Sequence, residues 1–212
     1  MRKTFLRTVI LSLICVSASA QPKGYKLIAD KTELKNKLAL AAEAIQTIKS
    51  DFSQEINLNV LSEKIISAGI FMFKKENMVR MEYLRPYKHL MIINKDKVLF
   101  KDEQKTNMFS SHVNKLFTLI NSIIVDCMKG TALDNKNFSA AAYESDSKYL
   151  LVLMPITKDI KEFYSTINIY IEKKDLSMNK IDMINTSGDN TVITFINKQY
   201  NVSIPDAEFF IK

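Results

Sequence analysis

Side chains that can attack, exchange protons or hold a metal are few in this sequence, and their spacing is unpromising. His89 and His112 are the only histidines in 212 residues. Ser110-Ser111-His112 sets hydroxyls beside an imidazole, the raw material of a nucleophile and its base. No acidic partner or glycine-flanked serine accompanies that run, and a helix start explains it more simply. The carboxylates are scattered, so no acid/base pair stands out. Phosphate-cradling glycine loops and the His-Glu-x-x-His helix are absent. Asn137-Phe138-Ser139, Asn185-Thr186-Ser187 and Asn201-Val202-Ser203 match the glycosylation triplet, a short pattern that recurs in an asparagine-rich chain. The residues point away from catalysis, and no cofactor or metal is expected.

The N-terminus settles what the two cysteines and the net charge of +7 mean. Arg2, Lys3 and Arg7 precede an apolar run over 9–16 broken only by Ser12, and Ala18-Ser19-Ala20 follows. A basic start, a short apolar run and a small-x-small site make a secretory signal peptide, expected to be cleaved after residue 20. The run is shorter than the roughly 20 residues a membrane-spanning helix needs. Cleavage leaves 27 basic and 23 acidic residues of the original 30 and 23, a net +4. Cys15 leaves with the signal, so Cys127 has no partner for a disulfide or a zinc cluster. Ser12-Leu13-Ile14 ahead of Cys15 also lack the small residues that favour lipidation there. An exported chain with interspersed acids shows no basic stripe for nucleic acid. Residues 21–212 are expected to form a single domain.

The elements that must position any site come next. Asp30-Lys31-Thr32-Glu33 reads as a capping box. Leu34, Leu38, Ala41, Ile45, Ile48 and Phe52 then recur at helical spacing, predicting an amphipathic helix of about five turns. The period changes to two at Phe52, Ile56, Leu58 and Val60. Strand patterns follow at 65–74, 78–84, 89–93 and 98–101, with a four-residue hairpin loop over 94–97. A second helix is predicted over 112–129, stopped by Gly130. Strands resume at 138–144, 149–154, 163–172, 180–185 and 191–196, and the tail over 204–211 reads as one more. Short connections favour antiparallel neighbours, so the fold class is α+β, a large curled antiparallel sheet with helices on one side.

Several strands are apolar on both faces. Ile66, Ala68, Ile70 and Met72 lie on one side of a strand whose other side carries Phe71 and Phe73. A sheet with one wet face should alternate. Either covering elements hide one face, or the sheet encloses an apolar cavity to which the ten methionines lend adaptable surface.

Residues 51–87 carry a family pattern: Asp51-Phe52-Ser53-Gln54, then Ser67-Ala68-Gly69-Ile70-Phe71-Met72-Phe73-Lys74-Lys75, then Val79-Arg80-Met81-Glu82-Tyr83 and Pro86. The hairpin over 92–100 fits as well. So does the ending, from Thr191-Val192-Ile193-Thr194-Phe195 to Pro205-Asp206-Ala207-Glu208-Phe209-Phe210. Together these resemble the periplasmic outer-membrane lipoprotein carrier family of the LolA type. The resemblance implies an incomplete antiparallel β-barrel with a helical lid around a hydrophobic cavity. It also implies a periplasmic, monomeric carrier that takes acylated lipoproteins from an inner-membrane ABC transporter and passes them to an outer-membrane receptor.

Carried over by position, the resemblance assigns the cavity lining to Phe71, Phe73, Val79, Met81 and Tyr83, with Leu38 and Ile45 from the helix. Lys75 falls where the family often has a lid-contacting Arg, and Arg80 where an Arg commonly precedes an aromatic. Glu76 and Met81 stand where the family has Pro and Trp, and Lys75 lacks the planar guanidinium fork. A receptor or sensor on the same fold, or an exported binding module with a filled core and no lipid, stays open beside the carrier reading.

Overall fold

The computed structural model describes residues 21–59, 64–75, 77–95, 97–102, 106–110 and 115–211, with 106–110 and 115–121 as backbone only. The signal segment, Val60, Glu76 and His112 lie outside the described residues.

Among the described residues twelve strands form one antiparallel sheet. The strands of the first half are β1 (Lys26–Leu27), β2 (Thr47–Asn57), β3 (Ile65–Lys74), β4 (Met78–Arg85), β5 (His89–Asn94), β6 (Lys97–Asp102) and β7 (Thr106–Ser110). Those of the second half are β8 (Phe138–Glu144), β9 (Lys148–Pro155), β10 (Tyr164–Glu172), β11 (Met178–Asn185) and β12 (Asn190–Tyr200). The order across the sheet is β1-β8-β9-β10-β11-β12-β2-β3-β4-β5-β6-β7. Short hairpins make most neighbours sequential, as antiparallel pairing allows. The exceptions join segments far apart in sequence: β12 returns to pair with β2, and β1 pairs with β8. β1 and β7 are left as free edges, so the sheet is not closed.

Two helices, α1 (Thr32–Glu43) and α2 (Lys115–Met128), lie on the inner side, and α3 (Lys158–Lys161) is a single turn before β10. Leu34 and Leu38 of α1, Ile123 and Ile124 of α2, Val79 and Met91 of one sheet half, and Leu151 and Ile169 of the other belong to one continuous core. The sheet therefore curls around its own inward residues.

Four sequence expectations change. The first helix ends after Glu43, about three turns instead of five, and Ile48 and Phe52 sit on β2, where Ile48 pairs with Phe73. Spacings of four satisfy both a helix face and a strand face, so the apolar pattern runs through the boundary. The capping box does not form: Asp30 Oδ1 accepts from the Thr32 N–H, and Glu33 pairs with Lys37. The hairpin loop shortens to two residues because Asn94 pairs with Lys97, with Lys95 in the left-handed region at φ 57°. The C-terminal tail is no strand; it makes a 3-10 turn at Asp206–Phe209 behind Pro205.

That tail accounts for part of the doubly apolar pattern, while Ile66 at the far end of β3 stays exposed. Met72, Arg80, Ile92 and Leu99 stand in one cross-strand row on the outer face. Ile204 and the fully buried Phe209 pack on Met72, Ile92 and Leu99 as a second core.

Candidate functional site

Under α1 and α2 the main core is incomplete and leaves an apolar cavity of about 30 Å³. Leu38, Ala41 and Ala42 of α1, Ile45 just beyond it, and Cys127 and Met128 of α2 line its roof. Ile48, Phe71, Ile171 and Phe195 line the sheet side. Burial pushes the Cys127 thiol up, so at neutral pH it is a protonated apolar group rather than a nucleophile.

The roof is built from local rules. Leu34, Leu38 and Ala42 recur every four residues and form the buried stripe of α1. α2 stops in a Schellman motif, with the Gly130 N–H donating to the Cys127 carbonyl and the Thr131 N–H to the Asp126 carbonyl. Gly130 has φ 71°, and a Cβ there would stand 2.4 Å from the Leu38 carbonyl oxygen. Only glycine allows the end of α2 to approach the α1 backbone this closely.

Few polar contacts hold α1 down. Lys75 Nζ donates to the Glu43 carbonyl at 2.8 Å. Asn201 accepts from the Gln46 N–H at 2.7 Å and donates to the Ala44 carbonyl at 2.9 Å. Lys35 pairs with Asp134 beyond α2, and Lys31 Nζ reaches the Ala140 carbonyl at 2.7 Å.

One side of the cavity is polar. Lys198, Tyr200, Ser177 and Ser50 line it together with the apolar groups. Burial lowers the Lys198 pKa, with Asp175 and Glu172 opposing. Burial likewise raises that of the Tyr200 phenol, against the Ser177 hydroxyl. Among the described residues no group of three or more His, Cys, Asp or Glu side chains could hold a metal, and no helix is long and apolar enough to cross a membrane.

The model of the outer membrane lipoprotein carrier protein LolA matches residues 43–212. The chain belongs to the LolA family. The matched segment begins at the last residue of α1, so most of that roof helix lies ahead of it. Among curated proteins no sequence matches. A conserved protein of Thermus thermophilus shares the fold at 8% identity and TM-score 0.50, over 85% of this chain and 93% of that one. A LolA superfamily protein of Nitrosomonas europaea aligns at 8% identity and TM-score 0.45, over 84% and 97%. The MucA/MucB complex of Pseudomonas aeruginosa aligns at 11% identity and TM-score 0.48, over 87% and 62%. LolA-family members are binding or carrier proteins rather than enzymes.

In this LolA-family chain the residues singled out from sequence separate into four placements. Leu38, Ile45 and Phe71 line the cavity. Phe73, Val79, Met81 and Tyr83 share the inward face and are buried in the main core beside this cavity without lining it. Tyr83 lines a separate open cleft of about 340 Å³ with Leu84, His89 and Leu90. The Tyr83 hydroxyl donates to Gln54 Oε1 at 2.8 Å. Lys75 touches the end of α1, as described above. Arg80 faces outward, where Nη2 donates to Glu82 at 2.8 Å and Nη1 to the Glu208 carbonyl at 3.1 Å.

Sequence reasoning missed Lys198, Tyr200, Ser177 and Ser50. Phe195 points inward, and simple alternation would turn Lys198 outward. The pairing of β12 with β2 shifts by one between Ile196 and Gln199, and Asn197 takes φ 54°. This bulge reverses the alternation and brings Lys198 and Tyr200 inward. The asparagine that adopts φ > 0 is the only local signal for it.

Proposed function

We propose that the mature chain, residues 21–212 freed of a cleaved signal over 1–20, is a periplasmic carrier. It shelters the acyl chains of lipid-modified proteins beneath α1 and α2, working as a monomer. By family analogy it takes them from an inner-membrane ABC transporter and delivers them to an outer-membrane receptor. The observation that carries the reading is the apolar cavity between a helical roof and a curled sheet in a LolA-family chain.

The cavity of about 30 Å³ has room for about one water, whereas drug-sized ligands occupy roughly 300–1,000 Å³. The described state is the closed one, and loading requires α1 to lift. The energetics permit this. Each methylene withdrawn from water contributes about 0.8 kcal/mol, so a 16-carbon chain supplies on the order of 12 kcal/mol. Each hydrogen bond holding α1 contributes about 0.5–1.5 kcal/mol net. An acyl chain can offset the opening and still be released where a more apolar site competes for it.

Native mass spectrometry tests the reading with the mature protein and one lipoprotein in acylated and unacylated forms. A complex with the acylated form alone is expected. Equal complexes with both forms would sink the acyl-chain mechanism.

A further inference from the structure

An acyl chain needs only apolar walls, yet one side of the cavity carries an ammonium and hydroxyls whose presence costs stability. The bulge in β12 interrupts the ladder to turn Lys198 inward, and Asn197 at its corner is fastened by a hydrogen bond from Nδ2 to Asp51 Oδ2 at 2.7 Å. Lys198 Nζ donates to Ser177 Oγ at 2.5 Å and to the Met178 carbonyl at 3.2 Å, both neutral acceptors. An ammonium has three donors, so these two contacts do not exhaust it. Asp175 and Glu172 act on Lys198 through space, and among the described residues neither forms an ion pair with it.

Ser50 is the second, independent sign. It lies on β2 between Lys49 and Asp51, the two residues whose pairing brackets the bulge, so it faces the same spot. The residue is 3% exposed, and its Oγ has no hydrogen-bond partner. A buried hydroxyl left unpaired costs about 1–3 kcal/mol, so it marks a place where a polar partner is missing. The apolar floor begins alongside: Ser50 pairs with Phe71, and Phe195 precedes the bulge.

We propose that Lys198, Ser50, Ser177 and Tyr200 form a head-group site that takes the carboxylate of a long-chain fatty acid, its tail running beneath α1 over Phe71 and Phe195. The inference rests on the reading of the cavity as an acyl-chain site. A carboxylate fits because the cluster supplies one positive charge and hydroxyl donors. A phosphate head would call for more charge or the fork of an arginine.

Equilibrium binding of palmitate and of methyl palmitate to the mature protein and to Lys198→Met tests it. Palmitate is expected to bind about ten- to a hundredfold more tightly than its ester, the range of a charge-assisted hydrogen bond. In Lys198→Met that preference disappears, and an unchanged circular dichroism spectrum reports an intact fold. Lys198→Gln, which keeps a donor without the charge, should lose the preference too and covers a folding failure of the first variant. Equal binding of acid and ester to the wild type overturns the head-group site and leaves the acyl cavity standing. A preference that survives in both variants overturns the assignment to Lys198. Failure of both lipids to bind the wild type overturns the cavity reading beneath it.

Discussion

Each face of the sheet carries a cover over part of its area, and the two covers are built differently. On the inner face, α1 is held by a few contacts near its ends, from Lys75, Asn201, Lys31 and Lys35, and it roofs an incompletely filled core. On the outer face, the C-terminal turn drives the fully buried Phe209 into Met72, Ile92 and Leu99. Polar contacts then fasten that turn along its length. Lys74 reaches the Ile204 carbonyl and Asp206, Arg80 reaches Glu208, and Asn94 reaches the Phe209 carbonyl. Good packing with charge-assisted hydrogen bonds makes a permanent cover. Weak latches over a void make a cover that can move. The C-terminal turn thus covers strands β3 to β6 over the Met72, Ile92 and Leu99 row, while Ile66 and Leu84 farther along the same outer face line an open groove.

The contrast can be broken most forcefully at Phe209. Phe209→Ala empties the outer core and is expected to cost about 3–5 kcal/mol in urea denaturation, with amide exchange in α1 at its native rate relative to global unfolding. Selective acceleration of α1 would show that the covers are coupled. On the inner face, burial pushes the Tyr83 phenol up to about 12. Its folded value exceeds its unfolded one, so this contribution is complete below pH 10 and lost as pH rises from 10 to about 12. A loss on the order of 2 kcal/mol is expected across that window. Tyr83→Phe should flatten that part of the stability profile, and an unchanged slope would place the tyrosine in a wetter site than its burial indicates.

Gly130→Ala strains a residue at φ 71° and drives a methyl against the Leu38 carbonyl. A loss of more than about 1 kcal/mol is expected, accompanied by faster exchange in α1, because the strain falls where the roof helices meet. The gentlest test is Lys75→Met, which removes one latch hydrogen bond of about 0.5–1.5 kcal/mol. It should raise local exchange in α1 while the urea midpoint barely moves. A large global destabilisation instead would mean that α1 is a fixed cover like the C-terminal turn.

Much of the site was legible because alternation and helical spacing report faces directly. Phe71 and Phe73 face the same way because both lie on β3, and Leu38 belongs to the α1 stripe. The error over 44–52 has a physical origin: Ile48 and Phe52, four apart, satisfy a period of 3.6 and a period of two alike. Pairing of Ile48 with Phe73 decides between them. The partners of Arg80 appear only when the C-terminal turn folds over it. The contact with Glu208 joins residues 128 apart, and no local pattern encodes it.

From the residues alone came the export signal over 1–20 as an expectation, the lack of catalytic patterns, the α+β class and the family likeness. These rest on composition and on short-range periodicity, which one chain displays without its partners. Only the tertiary structure decided which apolar row the C-terminal turn covers and where the inner core is left with a void. It alone turned Lys198 inward, because a bulge is defined by the strand opposite it. Whether a lysine faces water or a cavity then depends on a single residue of register.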